Sequence, residues 1–228
     1  METRAKLKRL LASALFLAAA FSAHAAPVSI GYLSSHDDGS TAVVTDTLNH
    51  REWLRFDLTK GLTYAQTLAA VGSGGVYEGF QIAHVSDAWA FVNALLGGTN
   101  ACTEAAGQIQ QSCGSSGLAG AIRLLGKTYT NHSAVIFAMF LSDNGRGEEV
   151  GLVDTYDDYG STTGFTQMVN EWRSIAMADD FAREFDVNWL LYRDASGASA
   201  AVPESGSLAL VALALAGLGA VQRLRRAA

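Results

Sequence analysis

Apolar residues recur along the middle of this chain with two periods, and those periods mark its elements. Val28–Leu33 and Ala42–Asp46 are rich in β-formers and flank Ser34-Ser35-His36-Asp37-Asp38-Gly39, a turn by composition. Trp53–Leu58 alternates, with Trp53, Arg55 and Asp57 on one side and Leu54, Phe56 and Leu58 on the other, as a strand does. Thr63-x-x-Gln66 is a capping box, in which the hydroxyl accepts from the third helical N–H while Gln66 reaches back. It predicts a helix with Tyr64, Leu68 and Val71 on one face, stopped at Gly72. Gly79–Ala83 reads as a short strand. Asp87–Leu96 follows as a second helix, with Ser86 as N-cap, Trp89, Val92 and Leu96 aligned, and Gly97-Gly98 as its end. Leu118, Ile122 and Leu125 suggest a third helix over Gly117–Gly126. Ser133–Leu141 is apolar almost throughout and is the candidate central strand; Val150–Tyr156 is another. Met168, Val169, Trp172, Ile175 and Ala176 have helical spacing, and Val187–Tyr192 closes the series as a strand. The order is neither βαβ alternation nor all-β, so the expected class is α+β: one ectodomain with a mixed or antiparallel sheet and two to four helices.

Both ends of the chain break this pattern. Arg4, Lys6, Lys8 and Arg9 precede an apolar stretch, Leu10–Phe21, and then Ala23-His24-Ala25. That is the build of a secretory signal helix, cleaved after residue 25 and exported through the Sec translocon. At the other end Val202-Pro203-Glu204-Ser205 is followed by the apolar run Leu208–Val221 and by Arg223, Arg225 and Arg226. The run reaches about 21 Å as a helix, short of a hydrocarbon core of about 30 Å, and Gly206 and Ser207 extend it. Arginines beyond it place the tail on the inner side of the inner membrane by the positive-inside rule. The expected division is a signal segment 1–25, an exported domain 26–201 and a C-terminal tail 202–228.

The tail resembles the PEP-CTERM sorting signal of Gram-negative bacteria, which joins Pro-Glu-Pro, a short apolar helix and an Arg cluster. Pro203 and Glu204 match, and Ser205 stands where the family has its second proline. The resemblance implies recognition by an exosortase, a membrane transpeptidase-like enzyme that cuts near the motif, and a final location at the cell surface or in the extracellular matrix of a biofilm.

Charge separates the domain from its ends. The whole chain carries −6, but residues 26–201 hold 20 acidic against 9 basic side chains, a net −11. Such a domain repels nucleic acid and acidic polysaccharide. Proline is absent between Pro27 and Pro203, so no proline-rich linker divides it. Its two cysteines, Cys102 and Cys113, most simply form a disulfide in an oxidising compartment; a redox pair would need closer spacing and a zinc site more ligands.

Chemistry is sparse. There is no Gly-x-Ser-x-Gly and no HExxH, and His36, His50, His84 and His132 do not pair at metal-ligand spacing. Gly145-x-Gly147 is too little for a phosphate cradle and is followed by Glu148-Glu149. Ser142–Tyr159 gathers hard oxygen ligands, with Asp143, Asp154, Asp157 and Asp158 as a candidate Ca²⁺ set against a plain solvated acidic loop. No other cofactor is expected. Trp53, Trp89, Trp172 and Trp189 could stack on sugars, but each sits at a core-like period.

The block Trp53-Leu54-x-Phe56-Asp57-Leu58-Thr59-x-Gly61-Leu62-Thr63-Tyr64, with Gly79-Phe80-x-x-Ala83 and the final Asn188–Arg193, is similar to bacterial C-type-lectin-like domains of surface proteins. The expectation that follows is a non-enzymatic surface or matrix protein associated with exopolysaccharide or binding glycan. A secreted hydrolase whose site is invisible in sequence is the alternative.

Overall fold

The computed structural model describes residues 27–36, 41–102, 110–128, 136–142, 149–157 and 163–195. The signal segment, the sorting motif, the apolar tail and its arginines, and also Asp143, Asp158 and His132, lie outside the described residues.

The first strand expected from sequence is in fact a hairpin. β1 (Pro27–Ile30) and β2 (Leu33–His36) pair antiparallel around Gly31-Tyr32. Gly31 has φ +55°, and a Cβ there would collide with the Ala94 carbonyl, to which the Tyr32 N–H donates at 2.9 Å. Only glycine allows this turn to sit so close to a helix end. β3 (Val43–Asp46) and β4 (Arg51–Leu54) form the next hairpin. Their turn is organised by Asp46: one carboxylate oxygen accepts from the Leu48 and Asn49 N–H groups, the other from Asn49 Nδ2 and Trp53 Nε1. Beyond Leu54 the predicted alternation gives way to a 3-10 turn, Phe56–Leu58.

Helix α1 (Tyr64–Val71) starts at the predicted capping box, with Gln66 N–H donating to the Thr63 hydroxyl and Thr63 N–H to Gln66 Oε1. Tyr64 and Val71 of the expected stripe pack against the core with the buried Thr67 between them, but Leu68 is 46% exposed, so the buried face is turned from Leu68 toward Thr67. β5 (Gln81–Ile82) leads to α2 (Val85–Leu95), which begins two residues earlier than expected. Its N-cap is His84, whose N–H is taken up by the Asp87 carboxylate at 2.9 Å. β6 (Gln111–Gly117), α3 (Leu118–Leu125), β7 (Ile136–Ser142), β8 (Glu149–Asp157), β9 (Thr163–Ser174), α4 (Ile175–Phe185), β10 (Asn188–Trp189) and β11 (Leu191–Asp194) complete the described elements.

The class is α+β, with four helices, as expected, but the strands form two sheets rather than one. The first runs β1-β2-β3-β4-β11-β5 and the second β10-β7-β8-β9-β6. Among the described strand pairs only β10–β7 is parallel. The expected strand Val187–Tyr192 is divided at Leu190, where the chain leaves the second sheet and enters the first. Leu190 N–H donates to Met139 and its carbonyl accepts from Ala83, so one residue ties the two sheets.

The expected helix around Met168–Trp172 is instead the second half of β9. The helix begins only at Ile175. Leu152 pairs with Val169 and Val150 with Arg173, so three residues of β9 face the single Gly151 of β8. This bulge breaks the two-residue period and gives the apolar positions a helix-like spacing. A Cβ at Gly151 would strike the Phe140 ring.

Core residues fall into two clusters. In the first, Trp53 packs against Phe91 (5.0 Å between ring centres) and Tyr192 (5.3 Å), joining the first sheet to α2. In the second, Trp189 lies among Met139, Leu191 and Ala182 and against the Tyr64 ring. Trp53 and Trp189 are fully buried; Trp89 and Trp172 are half-buried.

The Cys102–Cys113 disulfide is formed. Cys113 is the extra residue of a bulge in β6, between Ser112 opposite Gln167 and Gly114 opposite Thr166. Trp89 Nε1 donates to the Cys102 carbonyl at 2.8 Å, so the bridge fastens β6 to α2. Closing a loop of this length stabilises the fold by about 3 kcal/mol through the entropy removed from the unfolded chain.

Candidate functional site

Asp154 is the most perturbed ionisable group of the described domain. It sits in the middle of β8, on the strand phase shared by Leu152, and is 7% exposed. One carboxyl oxygen accepts from Gln167 Nε2 at 3.0 Å; the other is buried with no hydrogen-bond partner. Gln167 Oε1 in turn accepts from Gln110 Nε2, so a short polar line crosses from β8 over β9 to the surface. Burial pushes the Asp154 carboxyl up to about 7, and the Gln167 bond only partly opposes it. Its neighbours on this face are apolar or aromatic: Phe137 lies opposite on β7, and the Tyr156 and Phe165 rings stack 6.0 Å apart. The sequence grouped Asp154 with loop carboxylates; its place on the apolar phase of Val150–Tyr156 was the signal that marks it as buried.

Of the remaining acidic candidates only Asp157 lies among the described residues. Ser142 and Glu149, which flank the segment holding Asp143, pair at one end of the strand. Asp157 closes the other end, eight residues on, or roughly 26 Å at the rise of a β-strand. Asp143 and Asp158 themselves lie outside the described residues. Among the described residues no group of three His, Cys, Asp or Glu side chains could hold a metal. His84 is a helix cap and His50 a turn residue with φ +54°.

A second polar cluster lies where the first sheet meets α2. Arg51 Nη2 is 2.9 Å from Asp87 Oδ1, and its guanidinium stacks 4.3 Å from the Tyr192 ring. Burial raises the Tyr192 hydroxyl above its ordinary value; the Asp87 carboxylate adds to the rise and Arg51 opposes it. Every member of this cluster has a task in holding α2 on the sheet, which makes it architecture.

One flank of α4 carries an open cleft. Met177, Asp180, Phe181 and Glu184 recur at helical spacing, and Phe185 and Arg173 from the end of β9 close it. Trp172 meets the Phe181 ring edge-on at 4.7 Å, and Phe181 lies 4.7 Å from Phe185. The Arg173 guanidinium covers Trp172 at 4.5 Å. None of these positions was singled out from sequence except Trp172, and it was assigned to the core. No protein-family model, curated protein or solved structure matches this chain. The functional reading therefore rests on its own residues. The cleft offers rings, carboxylates and a guanidinium side by side, which suits binding. Asp154 offers a carboxyl that holds its proton near neutrality, which suits proton transfer.

Proposed function

We infer that this chain is an exported, exosortase-sorted protein of a Gram-negative cell surface or extracellular matrix, with a non-enzymatic, glycan-associated ectodomain of lectin-like type. The observation that carries the reading is the order of features at the C-terminus: Pro203-Glu204, the apolar run Leu208–Val221, then Arg223, Arg225 and Arg226, in a chain that opens with a signal segment. The buried Cys102–Cys113 bridge suits an oxidising compartment. The partners implied are the Sec translocon, the inner membrane and an exosortase.

Expression in a host with and without an exosortase tests this. The mature mass should fall by the tail downstream of the motif only where the enzyme is present, and Pro203→Ala with Glu204→Ala should abolish the change. An unchanged mass in both hosts refutes the sorting assignment. Calcium held by carboxylates of the Asp143, Asp154, Asp157 and Asp158 set would bridge this acidic domain to acidic polysaccharide. Isothermal titration of the chain with Ca²⁺ should give heat at millimolar concentration, and silence removes that bridge.

One observation favours a second reading, a secreted hydrolase: Asp154 is a buried carboxyl with one oxygen that has no hydrogen-bond partner and a value pushed up to about 7. A general acid works best with a value near the operating pH. Any hydrolysis that depends on it should disappear in Asp154→Asn.

A further inference from the structure

The cleft on α4 has a lining that narrows its occupant. Its volume is about 340 Å³, at the low end of ligand-sized sites, which run from roughly 300 to 1,000 Å³. The floor is apolar: Phe181 and Phe185 present rings, and Met177, 52% exposed, adds a flexible apolar edge. The rim is polar and carries both signs. Asp180 and Glu184 are exposed acceptors one turn apart on α4, and Asp180 also pairs with Arg183 at 3.0 Å. Arg173 also lines it, its guanidinium carbon 4.5 Å from the centre of the Trp172 ring and 5.6 Å from that of Phe181.

Such a lining asks for a small rigid ligand with one apolar face and hydroxyl groups around its edge. The rings take the face, the carboxylates accept from hydroxyl protons, and the guanidinium donates to hydroxyl or ring oxygens. Charge settles the rest. Two carboxylates on a domain of net −11 repel an acidic ligand, and Arg173 already holds the place over the Trp172 and Phe181 rings that a cationic ligand would take, which leaves a neutral one. We propose that the cleft formed by Arg173, Met177, Asp180, Phe181, Glu184 and Phe185 binds a neutral pyranose unit of an oligosaccharide. This names the ligand class and the site for the glycan-associated ectodomain inferred above, and it rests on that reading.

The test is calorimetric titration of the full chain with neutral hexaoses of glucose, mannose and galactose, beside a hexuronate and a hexosamine oligomer of equal length. At least one neutral hexaose should bind. Arg173→Ala and Glu184→Gln, both surface changes checked by their melting temperatures, should each weaken it by roughly tenfold, the loss of one charged hydrogen bond. Absence of heat from all three neutral hexaoses at millimolar concentration overturns the proposal. So does binding that neither variant weakens, or a tenfold preference for the charged oligomers. Self-association that rises with concentration and is lost in Met177→Asp would assign the cleft to a second copy of the chain, and also overturns it. A chain that is processed at its tail but binds no neutral sugar loses only this site. A chain that binds sugar but is neither processed nor exported loses only the sorting assignment.

Discussion

Asparagine at position 154 raises the melting temperature by roughly 10 °C at pH 8 and changes it only slightly at pH 4. The reason lies in where the proton is held. Below about pH 4 both the folded and the unfolded chain keep Asp154 protonated, and its burial adds no ionisation cost. Between the ordinary value of 3.8 and the folded value of about 7, the unfolded chain releases its proton while the folded chain keeps it. Stability therefore falls with each pH unit across that window. Above about pH 7 the folded carboxyl ionises as well, and the loss stays fixed at about 4 kcal/mol, three pKa units at 1.36 kcal/mol each. Asparagine has no charge to bury and still offers an oxygen to Gln167 Nε2, the bond that Asp154 makes at 3.0 Å. Thermal melts of both proteins at pH 4 and pH 8 decide it. An equal shift at the two pH values would mean that burial of the charge is not the cause.

Alanine in place of Asp46 destabilises the protein by about 3–5 kcal/mol, read as a drop in the urea midpoint at unchanged slope. Asp46 is 1% exposed and accepts four hydrogen bonds. Without it the Trp53 indole N–H is left buried without an acceptor, and a buried donor so orphaned costs about 1–3 kcal/mol by itself. The turn Thr47–His50 also loses the carboxylate that fixes it, with consequences for Asn49, whose Nδ2 reaches the Ala90 carbonyl of α2 at 3.0 Å. Asp46→Asn should lie between the two, since one oxygen remains. A wild-type midpoint in Asp46→Ala would show that the turn is held by its backbone alone.

Local chemistry in this chain was legible where one residue type decides the outcome. Thr63 and Gln66 announced their helix because a capping box is self-contained, and the two cysteines had only each other. The α+β class followed from the mixture of periods. Elements whose identity depends on a distant partner were hidden. β6 reads Gln-Ser-Cys-Gly-Ser-Ser-Gly, with almost no apolar signal, and is a strand because β9 pairs with it. The β9 bulge disguised a strand as a helix by inserting Asn170-Glu171-Trp172 against one glycine. The division at Leu190 was invisible because the residues on both sides, Trp189 and Leu191, are equally apolar and equally buried. The cleft was missed for a related reason: Asp180 and Glu184 lie opposite the inner stripe of Ala178 and Ala182, while Phe181 and Phe185 also pack against the core, so its lining reads half as core and half as solvated surface. Only the start of α4 at Ile175 shows which side faces out.

The path of the last strands has a mechanical consequence. β11 lies inside the first sheet, hydrogen-bonded to β4 on one side and β5 on the other, and β10 just before it is anchored to β7 of the second. If the protein is held by its C-terminal tail, a pull enters the domain along β11, an interior strand. It cannot be peeled away one hydrogen bond at a time, as an edge strand can. Both flanking ladders must shear together, and the force then passes through Leu190 into the second sheet. The tether point and the junction of the two sheets coincide, so drag on a surface-held molecule is resisted by both halves of its core at once.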